Sequence, residues 1–465
     1  MAKNLEAVFT PRSIAIIGAA REPNKIGNVI VKNFLDGAYP GKVYPVNPNA
    51  DTILGLKCYK SVLDIQGHVD QAVISIPAKF VPAVMEECGK KGVKAAVVIT
   101  GGFSEVGSGD LEKQVADIAR KYNIAMIGPN CLGVLNPAAR VDSMFIPVYK
   151  LGRPRVGDIS FISQSGAVGS CIIDLAAHAG VGIGKFVSYG NATVIDIVDL
   201  LEYLEKDKGT RIIVVYVEGI RRGKEFVKLA KRIAHKKPII VLKAGITARG
   251  AAAAKSHTGS LAGSAAAYHA AFQQARLIEA SSLDELFTFA KIFQQPYPSG
   301  KRVAVVTNGG GNGVLCADAI EMNNLELAEF SDETKEKLKQ FLPTYTNVGN
   351  PLDLIGDADA ARYGSALAVL MDDPNVDSIV VVTLFQTISL DANVTNVIVR
   401  ESDKKTKPIC VVATGGDYTQ LLRRILDSYG VPTYNSPLAA VRALANFTKY
   451  AEHFEKVCFL PIKKK

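Results

Sequence analysis

The chain is 465 residues long, and at about 150 residues per domain this length calls for three domains, each able to bury its own core. A hydrophobic fraction of 48% and a charged fraction of 21% describe an ordinary globular chain; no apolar run reaches the roughly 18 to 20 residues that cross a bilayer, and the opening MAKNLEAVFTPRS lacks the basic-then-apolar order of a signal peptide, so a cytoplasmic protein without a membrane segment is expected. The net charge of +9 is spread along the sequence, with few aromatics and one dense basic run at the terminal KKK, so an anionic small molecule or an acidic partner subunit accounts for it better than nucleic acid does. Seven cysteines without a CxxC pair argue against a disulfide framework and against a zinc site, and no metal site is expected.

Short β-branched runs alternate with longer amphipathic stretches, the pattern of βαβ units around parallel sheets. SIAIIGAA, KVYPVN, QAVISIP, AAVVITGG and AMIGPN make a first series. The turn-rich NPAARVDSMFIPVYKLGRPRVGD interrupts it, and ISFISQSG, GIGKFVSYG, RIIVVYVEG and PIIVLKAG make a second. After the linker QQPYPSGKR comes a third, with VAVVTNGGGNG, SIVVVTLF and PICVVATGG. The expected fold is α/β, with three doubly wound parallel-sheet domains over residues 1–148, 149–293 and 300–465.

The first strand runs into IIGAAREPNKIGN, a small-residue turn that lets the backbone approach a phosphate at a helix start, where unpaired N–H groups carry partial positive charge. The three-glycine dinucleotide fingerprint is incomplete, since Gly18 is followed by Ala19 and Ala20 and the next glycine is Gly27. The second strand passes from Val46 into Asn47 and Pro48 instead of the acid that would hold an adenosine ribose, which disfavours NAD. Arg21 and Lys25, beside Ile26, suit a more anionic ligand, such as the phosphorylated ADP moiety of coenzyme A; a structural turn with exposed basic residues would read the same way. Pro77 of SIPAKF, Thr100, Gly101 and Gly102 of VVITGGF, and Asn130 of IGPNC place small or polar residues at the carboxyl edge, where open parallel sheets take their ligands.

In the second series, SQSGAVGS leaves a strand and enters a helix. The turn Gln164, Ser165, Gly166, Ala167 can cup a phosphoryl group through the Ser165 hydroxyl and backbone N–H groups. It is not a Walker loop, because no GK[ST] follows, and a nucleophile elbow would need glycine where Ser163 stands. TNGGGNGVL, with Gly309, Gly310 and Gly311, makes another such turn. Either could be turn chemistry alone.

Glu218 ends the strand RIIVVYVEG, and a carboxylate that accepts one imidazole N–H leaves the other ring nitrogen as a nucleophile. His257, in AAAAKSHTGSLAGS, has no bulky neighbour to wedge it and no local metal-ligand set. Glycines and small hydroxyl residues around it disfavour regular helix, so a covalent carrier on a mobile loop is expected there. The loop follows the strand PIIVL of the domain that carries Glu218.

Taken together, SHTGSLAG, VEG, SQSGA, IIGAAREPNKIGN, VVITGGFSE and IGPNCLG resemble the alpha subunits of ADP-forming acetyl-CoA synthetases, relatives of succinyl-CoA synthetase in the NDP-forming acyl-CoA synthetase superfamily. The resemblance covers essentially the whole chain. It implies a Rossmann-like CoA-binding domain followed by two flavodoxin-like ligase-CoA domains. It also implies reversible conversion of acyl-CoA, ADP and phosphate to acid, ATP and CoA through an acyl phosphate and a phosphohistidine. His257 matches the phosphorylated histidine and Glu218 its supporting acid; Gly18 to Ile26 and Thr100 to Gly102 match CoA-contacting segments, and Gln164 to Ala167 the phosphate turn. The sequence stops at PIKKK where single-chain members continue into an ATP-grasp domain, so an ATP-grasp beta subunit holding Mg2+ with ADP or ATP, in an alpha2beta2 assembly, is the expected partner. The rivals are a nicotinamide-dependent enzyme and a non-catalytic CoA-binding or sensing protein.

Overall fold

A computed structural model describes residues 4–252 and 264–453. They fall into two compact units, Met1–His178 with Gly182–Ser281, and Ala179–Val181 with Ser282–Lys465. The first unit holds two large sheets and the second holds one.

The first sheet has five strands in the order Lys42–Val46, Ser13–Ile17, Gln71–Ile74, Ala95–Val98, Ala125–Ile127, all parallel. Side chains alternate across a strand, and here both faces are covered: Ile14 and Ile16 enter one buried cluster while Ala15 and Ile17 enter another. Two covered faces are why the strands read as continuous apolar runs instead of alternating ones.

The second sheet runs Ile278–Glu279, Ile239–Lys243, Ile212–Val217, Val156–Ser163, Ile183–Ser188, Val134–Asn136, Val141–Asp142. Its last two strands are antiparallel additions, drawn from the end of the first series and from the stretch read from sequence as an interrupting connection. Val134, Leu135 and Val141 are buried, but pieces of two or three residues among prolines and arginines carry no period that a sequence can display. One buried cluster includes Ile16 and Val97 of the first sheet together with Val215 and Val241 of the second. That shared core makes the two sheets one compact unit.

The second unit has strands in the order Glu326–Leu327, Arg302–Thr307, Ser378–Val382, Ile409–Val412, Thr433–Tyr434, with Leu352–Asp353 also paired to Arg302–Thr307, all parallel. Three sheets dominated by parallel strands agree with the α/β class expected from the alternating runs. Among the described residues, no helix is long and apolar enough to cross a membrane.

Candidate active site

Parallel strands put all their carboxyl ends on one edge, and the first sheet thereby gathers the residues expected to meet an anionic cofactor. Gly18 follows its strand with φ +93, and a Cβ there would lie 2.5 Å from the Ser75 carbonyl oxygen. Gly27, in the first turn of the helix Ile26–Asp36, approaches so closely that a Cβ would stand 1.9 Å from the Gly18 oxygen. This contact performs the close helix-to-turn packing for which the fingerprint uses glycine. The buried Asn28 amide donates to the carbonyls of Ala20 at 2.9 Å and Arg21 at 3.1 Å. Asn47 donates to the Ala19 carbonyl at 2.7 Å, and its Oδ1 accepts the Asn49 N–H at 2.8 Å. Arg21 reaches the Asn49 carbonyl at 3.3 Å, and Lys25 is the exposed N-cap residue.

Farther along that edge, the Thr100 hydroxyl donates to the Ile76 carbonyl at 2.8 Å, next to Pro77. The Asn130 N–H donates to the Thr100 carbonyl at 2.8 Å. The N–H of Gly102 is already taken by Glu105 Oε1 at 2.6 Å, and Phe103 N–H joins it at 3.1 Å. Burial pushes the Glu105 carboxyl upward, but Asn191 and these two N–H donors outweigh it and hold it below the ordinary value. Asn191 links the edges of the two sheets: its amide donates to Glu105 at 2.7 Å and Glu112 at 2.9 Å, and its Oδ1 accepts from Asn130 at 3.4 Å.

The second sheet positions Glu218. Gln164, at the end of Val156–Ser163, turns its Oε1 toward three donors: the N–H groups of Glu218 at 2.8 Å and Gly219 at 3.0 Å, and the Tyr189 hydroxyl at 3.4 Å. Ser163 Oγ donates to the Ser165 carbonyl at 2.6 Å, and Ser165 Oγ accepts the Val168 N–H at 3.3 Å, opening the helix Gly166–His178. Gly166 and Ala167 are the first residues of that helix. Arg221 donates to the carbonyls of Asn191 at 3.1 Å and Ala192 at 3.2 Å, and the Ile220 N–H donates to the Tyr268 hydroxyl at 3.1 Å.

These restraints hold a carboxylate that is 5% exposed. Oε1 accepts the Tyr216 hydroxyl at 3.5 Å, while Oε2 is buried and has no hydrogen-bond donor among the described residues. The Tyr216 phenol is pushed up to about 12 by burial and by the Glu218 charge. A buried acceptor left open on a charged group is unfavourable by several kcal/mol unless something fills it. An imidazole N–H is a donor of suitable size and chemistry. His257 lies outside the described residues; the helix Ala265–Ala275, close after it in sequence, supplies Tyr268 to the same cluster.

Sequence reasoning found Glu218 as an acid at a strand end and Gln164 as part of a turn. It missed Asn191, Tyr216, Tyr189, Tyr268 and Lys243. The one signal available was a lysine closing the apolar strand Ile239–Lys243, where it is 8% exposed.

Gly309, Gly310 and Gly311 lie in the second unit. Gly309 is the N-cap of the helix Gly310–Met322, and its N–H is taken by Thr307 Oγ1 at 2.9 Å. The buried Asn308 beside it accepts from the Tyr363 hydroxyl at 3.0 Å and from the Leu384 N–H at 2.8 Å.

Sequence signatures match along the chain: a CoA binding domain over residues 12–137, a succinyl-CoA ligase-like flavodoxin domain over 156–293, and a ligase-CoA domain over 303–444. The alpha subunit of acetate–CoA ligase [ADP-forming] II from Pyrococcus furiosus is 42% identical over 455 residues, which is 96% of this chain and 98% of that subunit. The chain belongs to the alpha-subunit family of ADP-forming acetate–CoA ligases. Acetate–CoA ligase [ADP-forming] I from Archaeoglobus fulgidus is 43% identical, over 96% of this chain, and this chain spans 64% of that longer ligase. The solved structure of a dinucleotide-forming acetyl-coenzyme A synthetase 1 from Candidatus Korarchaeum cryptofilum, in complex with phosphate and ADP, superposes on this ligase-family chain with a TM-score of 0.90. It shares 39% identity, with 96% of this chain and 97% of that one covered.

Proposed function

We propose that this chain is the acyl-CoA-handling alpha subunit of an ADP-forming acetate–CoA ligase. It interconverts acyl-CoA, ADP and phosphate with acid, ATP and CoA. The observation that carries the mechanism is the buried Glu218 oxygen without a donor among the described residues, in the same compact unit as the turns assigned to CoA. Coenzyme A lies along Gly18 to Ile26, Val46, Asn47, Pro77, Thr100 to Gly102 and Asn130, with Arg21 and Lys25 toward its phosphates.

A phosphate oxygen attacks the thioester carbonyl, the C–S bond breaks, and CoA leaves as its thiol with the proton that phosphate gives up. The resulting acyl phosphate lies at the helix start Gln164 to Ala167, where N–H groups neutralise its charge. A ring nitrogen of His257 attacks phosphorus, the P–O bond to the acyl oxygen breaks, and the carboxylate departs. The other ring N–H donates to Glu218 Oε2, which favours the positive charge that develops on the imidazole. Gly309 to Gly311 are a further candidate phosphate-binding helix start, and ADP takes the phosphoryl group from His257. Asn47 engages Ala19 and Asn49 where a nicotinamide enzyme would present a ribose-binding acid, so the nicotinamide reading lacks its key group.

The alpha-subunit name of the Pyrococcus relative supports a beta partner. The fuller reading is an ATP-grasp subunit that holds Mg2+ with ADP or ATP, in an alpha2beta2 assembly in the cytoplasm. The test is to incubate the chain with acetyl-CoA and radiolabelled phosphate and to map acid-labile, base-stable label by mass spectrometry. Label on His257 is expected, and His257→Ala abolishes it. Glu218→Gln keeps the shape but removes a charge-assisted hydrogen bond worth about 1.5 to 3 kcal/mol, so labelling should slow by about 10- to 150-fold. Label on another side chain, or none, overturns the mechanism.

A further inference from the structure

We infer that Asn191 is a positioning residue for acyl transfer: it fixes the loop at the CoA edge of the first sheet against the turn that presents phosphate on the second. The inference rests on the proposed division of CoA and phosphate between those two sheet edges, which belong to one compact unit.

The backbone supplies the first half of the argument. The segment 189–195 leaves the strand Ile183–Ser188 of the second sheet and runs along the end of the first. The N–H groups of Asn191, Thr193 and Ile195 donate to the carbonyls of Pro129 at 3.0 Å, Gly128 at 3.4 Å and Met126 at 3.3 Å. At Gly190, with φ +52, the approach is so close that a Cβ would lie 2.3 Å from the carbonyl oxygens of Pro129 and Asn130. Ala192 takes φ +56, a region that an L-residue enters only at a cost. Arg221 grips this stretch from the other side, donating to the carbonyls of Asn191 at 3.1 Å and Ala192 at 3.2 Å. It follows closely on Glu218 and Gly219, whose N–H groups meet Gln164 of the phosphate turn.

The side chain supplies the second half. Asn191 is 4% exposed, and its Nδ2 donates to Glu105 Oε2 at 2.7 Å and to Glu112 Oε2 at 2.9 Å, with the Ser104 hydroxyl at 3.3 Å. Its Oδ1 accepts from the Asn130 amide at 3.4 Å. Glu105 uses its other oxygen to hold the N–H groups of Gly102 and Phe103, and Glu112 accepts the Ser104 N–H at 3.1 Å and the Thr193 hydroxyl at 2.6 Å. These neighbours ask for two donors and an acceptor in a short side chain. Asparagine supplies them, whereas aspartate offers acceptors alone and serine a single donor. Both hydrogens of the amide are spent on the CoA-edge loop and the helix Gly109–Lys121 that follows it, so Asn191 acts as a spacer between two sites and not as a binding group. Spacing is what the transfer requires, because a misplacement of about 1 Å between reacting groups costs about 100-fold in rate.

The test compares the full chain with Asn191→Ala, Asn191→Asp, Asn191→Asp/Glu105→Gln and Arg221→Lys. Each is measured for CoA affinity by calorimetry, for thermal unfolding, and for release of CoA thiol from acetyl-CoA and phosphate. Asn191→Ala is expected to keep the CoA Kd within about threefold of wild type while slowing thiol release at saturating acetyl-CoA by about 10- to 100-fold. Asn191→Asp sets a carboxylate against Glu105 and should be slower still. Adding Glu105→Gln should restore at least about fivefold of that loss, since the amide then donates from the opposite side. Arg221→Lys should show the same split between Kd and rate, because an ammonium cannot hold both carbonyls as the guanidinium fork does; it decides the matter if the Asn191 variants do not fold. Wild-type thiol release by folded Asn191→Ala, or by Arg221→Lys in its place, overturns the inference. A CoA Kd that rises in step with the lost rate also overturns it, because Asn191 would then belong to the CoA site itself. A wild-type chain that binds CoA but releases no thiol is a different result, and it sinks the proposed reaction together with this role.

Discussion

At Gly18 and Gly27 the cost of a single methyl group can be set out from the geometry. An alanine at either position would bring its Cβ within 2.5 Å or less of a backbone oxygen, and backbone cannot swing aside as a flexible side chain can. Gly27→Ala must therefore part the helix Ile26–Asp36 from the turn after Ser13–Ile17, with the buried Asn28 bonds beside it. The expected loss is at least about 1 to 3 kcal/mol, together with weakened CoA binding. Urea unfolding and CoA titration of the same preparation measure both, and an unchanged midpoint would refute the close approach. Residues such as these were legible in part: the turn could be read from Gly18, but that Gly27 supplies the second close contact depends on where the helix lies.

Among the elements, the helices Leu283–Ile292 and Asp417–Ser428 of the second unit are joined by a buried charge pair, with the strand Thr433–Tyr434 hydrogen-bonded to both members. Lys291, in Leu283–Ile292, donates to both Asp427 oxygens at 3.1 Å and to the Thr433 carbonyl at 2.6 Å, and both side chains are under 5% exposed. Burial lowers the Lys291 ammonium from its ordinary value, and the Asp427 charge opposes it. Among the described residues, Lys291→Met leaves the Asp427 carboxylate accepting the Thr433 N–H and hydroxyl, each at 2.9 Å, with the Arg423 guanidinium as the charge still acting on it, and should destabilise by about 3 kcal/mol. Lys291→Met/Asp427→Asn should recover a substantial part of this, because no unpaired charge stays buried. Denaturant midpoints of the single and double variants decide it. Element-level sequence reading captured the parallel strands, whose β-branched runs are long enough to show. It read part of the edge pair Val134–Asn136 and Val141–Asp142 as connection, since such short segments become strands only when a sheet edge is there to receive them.

For the molecule as a whole, the candidate CoA residues come from the ends of successive parallel strands of one sheet, so a ligand bound there touches many loops at once. At a CoA concentration about 100-fold above Kd, binding should stabilise the folded state by about 2.7 kcal/mol. Hydrogen exchange should slow at Gly18 to Ile26, Asn47, Thr100 to Gly102 and Asn130, while Gly309 to Gly311 in the second unit stay unchanged in the isolated chain. Protection confined to other loops would remove CoA from this edge.

By itself the sequence determined the α/β class and the carboxyl-edge turns, and it nominated Glu218 and His257 as candidates, because strand periodicity, glycine chemistry and a histidine among small residues are local properties. Only the tertiary structure decided that Gln164 anchors the Glu218 loop, that Asn191 ties one sheet edge to the other, and that Lys243 on the next strand lies against the Tyr268 ring. Strand order and register set those neighbours, and contacts between residues tens of positions apart leave no mark on local sequence pattern.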